Sequence, residues 1–147
     1  KSANERLRME FLRLKRSGHP YAVLFMDVDW FKEVNDTFGH EAGDQVLRHM
    51  ATVLTSSLRA TDFVARYGGE EFLALLSETT REGALRIAEV VRRTVADQSF
   101  PVVGQVTVSI GVAMAGSEDE DEEGAVRRAD TALYQAKEDG RNAVRSR

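Results

Sequence analysis

The sequence has no cysteine among its 147 residues. Without thiols there can be neither a disulfide framework nor a thiolate metal site, and a reducing, cytoplasmic setting is expected. Long apolar runs are also missing. None approaches the roughly 20 residues that span a bilayer, and no signal peptide pattern opens the chain, so no membrane contact by this domain is expected. Excess basic charge is absent too: the formal net charge is −4. That leaves no general basic surface for a nucleic acid backbone, and no nucleic acid partner is expected.

What is present is enough apolar residue, 42 % of the chain, for one compact domain over residues 1–147. The sequence opens on Lys1 rather than Met, so a longer parent protein is expected, and that parent could be tethered to a membrane by other parts.

Leu7, Phe11 and Leu14 recur at helical spacing and predict an opening helix that ends before Gly18 and Pro20. Tyr21 to Met26 is an unbroken apolar run of strand length, as expected for a strand covered on both faces, and it stops abruptly in Asp27, Val28 and Asp29. Val46, Leu47, Met50, Val53, Leu54 and Leu58 mark a second helix. Phe63 to Tyr67 and Phe72 to Leu76 read as two strands of a hairpin whose two-residue loop is Gly68 and Gly69, one or both at positive φ. Leu85 to Val95 gives a further helix, and Val106, Val108, Ile110 and Val112 alternate with small polar residues as a strand with unequal faces. A last helix carries Val126, Ala129, Leu133 and Ala136 and ends at Gly140. The acid-rich stretch at 116–124 reads as a solvated loop favouring the positive end of that helix. The order α, β, α, β, β, α, β, α fits an α+β, ferredoxin-like βαββαβ domain with a mainly antiparallel sheet flanked by helices.

The chemistry concentrates in two acidic clusters. Asp27 and Asp29 close the first strand, and Glu70 and Glu71 follow the glycines in RYGGEEF, residues 66–72. If the hairpin pairs beside that strand, the carboxylates converge at one sheet edge, where their mutual repulsion calls for a cation. Oxygen ligands without His or Cys favour Mg²⁺, usually shared with substrate phosphates. Between the strand and the second helix, Lys32 can meet phosphate, and Asn35 and Asp44 are of the types that read a purine edge: a carboxylate accepts both adjacent N–H donors of guanine. Lys137 and Arg141 in AKEDGRN would add cations for a polyphosphate. Singly, each of these residues is as well explained by turn, cap or surface roles. Together they are not.

Four ordered motifs, DVDWFKEVNDTFGHEAGD (27–44), RYGGEEF (66–72), SIGVA (109–113) and ADTALYQAKEDGRN (129–142), resemble the GGDEF domain of diguanylate cyclases. The resemblance implies a palm-type fold similar to class III nucleotidyl cyclases, and condensation of two GTP into cyclic di-GMP with release of two pyrophosphates by a homodimer carrying one GTP per subunit. It implies Mg²⁺, with Mn²⁺ as a substitute, on Asp27, the Val28 carbonyl and Glu70; guanine recognition by Asn35 and Asp44; and phosphate binding by Lys32, Lys137, Arg141 and N–H groups near Phe31. Lys32, Glu70 and Glu71 become the catalytic residues, with Glu70 or Glu71 accepting the proton. RATD at 59–62 matches an inhibitory product site, in which Arg59 and Asp62 would hold cyclic di-GMP, and Val90 stands where some relatives carry a second inhibitory arginine, so that inhibition across domains would use Arg86, Arg92 or another group, or be weaker. The DxLTGLxNR stretch that usually precedes the opening helix is missing, and a sensory or regulatory domain is expected N-terminal in the parent. The alternative is a non-catalytic GGDEF module that binds GTP or cyclic di-GMP as a receptor.

Overall fold

The computed structural model describes residues 2–147. Its elements are α1 (Ala3–Ser17), β1 (Tyr21–Val28), α2 (Phe31–Phe38), α3 (His40–Ser57), β2 (Phe63–Arg66), β3 (Glu71–Ser77), α4 (Arg81–Asp97), β4 (Val108–Ala115), α5 (Glu123–Glu138) and β5 (Val144–Ser146). The sheet runs β2-β3-β1-β4-β5. All its pairings are antiparallel except β4 with β5. No helix among the described residues is long and apolar enough to cross a membrane.

β1 lies at the centre and every one of its residues is buried, because helices cover both faces. Ala22, Leu24, Met26 and Val28 point into one core with residues of α3 and α4. Tyr21, Val23 and Phe25 point into the other, under α1 and α5. A strand buried on both sides gains from apolar residues at every position, which is why its sequence shows no alternation.

β4 alternates for a different reason. Val108, Ile110 and Val112 fill the α3/α4 core, whereas the opposite face is small because α5 lies against it. A Cβ built on Gly111 would stand 2.0 Å from the Ala129 carbonyl oxygen and 2.3 Å from the Leu133 nitrogen. The helix backbone therefore rests on the strand itself, and α5 matches it with the buried Ala125, Ala129, Ala132 and Ala136.

α1 is fastened at both ends. Ser2 and Glu5 form a reciprocal capping box, and Gly18, at φ 77, returns its N–H to the Leu14 carbonyl at 2.7 Å.

Four details differ from the sequence reading. A separate helix, α2, fills the segment before α3, because Phe31 and Val34 reach the core while the residues around them are polar. β5 adds a parallel edge strand too short to show periodicity. The hairpin loop is longer than two residues, spanning Tyr67 to Glu70, with Tyr67 N donating to the Glu71 carbonyl at 2.8 Å, and neither Gly68 nor Gly69 has positive φ. Finally, the acidic loop is not wholly solvated. Asp119 is buried, pairs with Arg128 at 2.8 Å and accepts from Gly116 N, which locks the loop onto α5.

Because backbone rather than a flexible side chain opposes Gly111, a methyl group there must push α5 away. Gly111→Ala is expected to cost about 1–3 kcal/mol in urea denaturation, at the upper end of that range.

Candidate functional site

The antiparallel register places Asp27 of β1 opposite Glu71 of β3 and Ser109 of β4. Side chains paired in this way share a face, so Asp27 and Glu71 stand together on the α5 side. Lys137 reaches up from the last turn of α5 to bond Asp27 at 2.7 Å. Glu70 lies one residue earlier, in the hairpin loop, and its carbonyl accepts from Val28 N at 3.2 Å. That bond stitches the loop to the end of β1. Arg66 Nε pins the loop from the other side through the Gly69 carbonyl at 3.0 Å.

The two glycines serve different ends. A Cβ on Gly68 would sit 2.6 Å from a Glu71 carboxylate oxygen, while one on Gly69 would meet nothing within 4 Å. Gly68 makes room for Glu71, and Gly69 leaves the loop's outer side open.

Asp27, Val28, Glu70, Lys137 and Arg141 line one cavity of about 230 Å³, together with Phe31, Lys32 and Glu33 from the first turn of α2. The free N–H groups of that turn give this end of the cavity an anion-binding character. Lys32 stands at the rim, exposed and bonded to Asp36 at 2.9 Å. Asp44 belongs to a second cavity of about 400 Å³ between α3 and the hairpin, walled by Leu47, Arg48, Val64, Arg66 and Phe72. The hairpin forms a wall of both. Asn35 sits on α2 with its Oδ1 buried and unpartnered. The space it occupies exists because residue 43 is glycine, whose Cβ would lie 1.9 Å from that oxygen. A slot with Leu47, Val64 and Phe72 in its walls and Asp44 in its lining is a place for a flat polar ring.

Asp29 does not join the acidic cluster. It is buried and accepts from Thr107 Oγ1 at 2.8 Å, Ser109 Oγ at 2.7 Å and Asn142 N at 2.9 Å. Its oxygens tie the 140–142 turn to the sheet, so although both acids of the DVD triplet line the cavity, Asp27 is the one bonded to Lys137.

Burial pushes the Asp27 carboxyl above the ordinary carboxylate range against the pull of Lys137. Burial likewise raises Glu70 and Glu71, and the charge of Asp27 raises both further; Asp130 adds to the rise at Glu71. No cage of three or more acidic or imidazole side chains stands ready for a metal among the described residues. The donor set of Asp27, Glu70 and the Val28 backbone nonetheless fits a hard divalent cation of the kind held by one or two carboxylates and completed by substrate phosphates.

Arg59 and Asp62 lie elsewhere, past the far end of β3. Arg59 grips Asp62 through Nε at 2.9 Å and Nη2 at 2.7 Å and also donates to the Ser77 carbonyl at 2.9 Å. Arg59 opens onto a cavity of about 510 Å³ with Arg6, Arg13 and Glu78. β3 has seven residues, which separates this cavity from the acidic cluster by roughly 20 Å. Arg92 is already engaged with Glu89 and with Asn142 Oδ1 at 2.9 Å, whereas Arg86 is exposed.

Sequence reasoning missed Trp30, Arg66 and the clamp on Asp29. Arg66 could have been suspected from its place before the glycines. Nothing local signals the Thr107 and Ser109 contacts, which cross the sheet.

The family described as "Diguanylate cyclase, GGDEF domain" matches residues 1–143. Response regulator PleD of Caulobacter vibrioides is 46 % identical over 137 residues, covering 90 % of this chain and 30 % of that protein. Diguanylate cyclase DgcM of Escherichia coli is 48 % identical over 125 residues, covering 84 % of this chain and 30 % of its own length. The chain thus spans under a third of these relatives. Among solved structures, the active GGEEF domain of a diguanylate cyclase from Vibrio cholerae superposes with a TM-score of 0.91 at 36 % identity, covering 97 % of this chain and 92 % of that one. The GGDEF domain of DgcB from Caulobacter crescentus, solved in complex with c-di-GMP, gives 0.92 at 32 % identity, covering 97 % and 86 %.

The raised carboxyls fix a sign for stability against pH. Glu70 binds its proton more tightly in the folded chain, so its contribution is fully present below the unfolded value near 4.5 and is lost as pH rises through the folded value. In metal-free buffer, Glu70→Gln should therefore be more stable than the parent at pH 7, with the gain disappearing below about pH 4 in urea titrations.

Proposed function

The chain belongs to the diguanylate cyclase GGDEF-domain family, and on that premise we propose that it condenses two GTP molecules into cyclic di-GMP, releasing two pyrophosphates. The observation that carries the reading is that Asp27 and Glu70, from separate segments, line one cavity with the first turn of α2, Lys137 and Arg141, while a ring-sized slot ending in Asp44 opens on the other side of the hairpin.

Guanine enters the slot with its two adjacent N–H donors on Asp44, and Asn35, packed against Gly43 on the neighbouring helix, turns its amide to the base edge. The phosphates lie in the smaller cavity against the N–H groups at Phe31 and Lys32, with Lys32, Lys137 and Arg141 meeting their charge. Asp27, the Val28 carbonyl and Glu70 would hold Mg²⁺, for which Mn²⁺ could substitute. When bound, the ion neutralises polyphosphate charge and lowers the pKa of the attacking 3′-hydroxyl. Lys137 then passes from Asp27 to phosphate. Glu71, beside Asp27 but outside the cavity lining, carries a carboxyl pushed up towards a useful base strength and takes the hydroxyl proton. Positioning and preorganised charge do the rest.

Each chain offers one such pair of cavities, and two 3′-hydroxyls must each attack the other nucleotide. Two copies therefore face each other as a homodimer, in a cytoplasmic setting where GTP is available, brought together by a sensory or regulatory part of a longer parent. Cyclic di-GMP binds back at Arg59 and Asp62, whose distance from the acidic cluster makes that inhibition allosteric rather than competitive.

Incubation with GTP and Mg²⁺ should yield cyclic di-GMP and pyrophosphate at a rate per chain that climbs with protein concentration. Glu70→Gln should lower pyrophosphate release at least roughly a hundredfold without unfolding the chain. A rate per chain independent of concentration, or full turnover by the variant, contradicts the reading. Arg59→Ala should weaken product inhibition by roughly ten- to a hundredfold while leaving initial turnover intact, as measured by adding cyclic di-GMP to the assay.

A further inference from the structure

Among the three cations lining the phosphate cavity, two already have anionic partners. Lys137 is bonded to Asp27 and Lys32 to Asp36. Arg141 is different: among the described residues its guanidinium donates to no oxygen, and it lies over the indole ring of Trp30, 4.1 Å from the ring centroid. Both residues line the cavity.

Neither residue reaches this place by default. Trp30 has φ 59 and Arg141 has φ 65, left-handed conformations that side-chain-bearing residues adopt rarely and that surrounding structure must enforce. The enforcement is visible. Asp29, next to Trp30, accepts the N–H of Asn142, next to Arg141, at 2.9 Å, and is itself held by Thr107 and Ser109. The two strained residues are thus brought face to face by a buried carboxylate. Trp30 remains 56 % exposed, so burial in the core does not account for a tryptophan here.

We propose that Trp30 is a positioning residue for the nucleotide: its indole holds the Arg141 guanidinium flat at the cavity, with the N–H donors of the guanidinium edge presented to the phosphates. The inference rests on the reading of this cavity as a GTP site. An arginine side chain loses considerable rotamer freedom when it is fixed on a ligand. Stacking on an aromatic face removes part of that freedom before the ligand arrives, without consuming a single N–H donor. A lysine or a carboxylate-paired arginine would not combine the two properties.

Trp30 is the sole tryptophan of the chain, so its emission reports the stack directly. Arg141→Ala should shift the emission of the nucleotide-free protein, and GTP with Mg²⁺ should perturb it in the parent. The comparison of Trp30→Phe with Trp30→Leu then isolates the ring, because the two replacements face the same left-handed backbone. By calorimetry, the Leu variant should bind GTP about two- to fivefold more weakly than the Phe variant. In the Arg141→Ala background, that difference between Leu and Phe should vanish, since the ring acts through the arginine. Equal affinity of the two variants, a difference that persists without Arg141, or an emission untouched by Arg141→Ala would each overturn the proposal. Failure of the parent chain to bind GTP at all would overturn the underlying site reading, and is told apart by an emission shift on Arg141→Ala that still occurs.

Discussion

The pairing of β1 with β3 is what the site depends on. Asp27 meets Glu71 across that ladder, and Val28 N meets the Glu70 carbonyl at its end. Because side chains alternate along a strand, a slip of one residue would send Asp27 to the α3/α4 side and dissolve the acidic cluster. The register is protected by burial. β1 fills cores on both of its faces, so any slip would exchange large and small residues on two sides at once.

That rigidity serves an arrangement that is electrostatically unfavourable in isolation. Three carboxyls lie near one another, each raised by burial and by a neighbouring charge; Lys137 offers partial relief to all three, and Arg141 adds to it at Asp27. Close carboxyls held at raised pKa by burial favour the approach of positive charge, and Lys137 is the charge that meets Asp27. The Asp29 clamp belongs to the same design. It spends one of the acids of the DVD triplet on holding the 140–142 turn, and so fixes Arg141 relative to the cavity from the opposite edge of the sheet.

Much of this was legible in the sequence. The strands announced themselves through one unbroken apolar run and one alternating run, and the helices through their stripes. The motif residues Asp27, Glu70, Lys137 and Arg141 do line a common cavity, and Asp44 and Arg59 each open onto another. What stayed hidden depends on contacts between distant segments. Asp29 and Asp27 are indistinguishable as letters, and only the contacts from Thr107, Ser109 and the Asn142 N–H separate the clamped acid from the one that meets Lys137. Paired glycines suggested a tight turn, but neither has positive φ; Gly68 leaves space for the Glu71 carboxylate, and a Cβ on Gly69 would meet nothing. α2 went unseen because a helix of eight residues with one buried side chain has almost no stripe to read. Trp30 gave no signal at all, since its partner lies more than a hundred residues away.

The most direct test is where a divalent ion settles. Titrating substoichiometric Mn²⁺ into the isotope-labelled chain with a non-reacting GTP analogue should broaden the amide resonances of residues 27–31 and 69–71 first. Prior broadening around the acidic loop at 118–121, with the β1 end and the hairpin unaffected, would contradict the convergence of Asp27 and Glu70 on one cation.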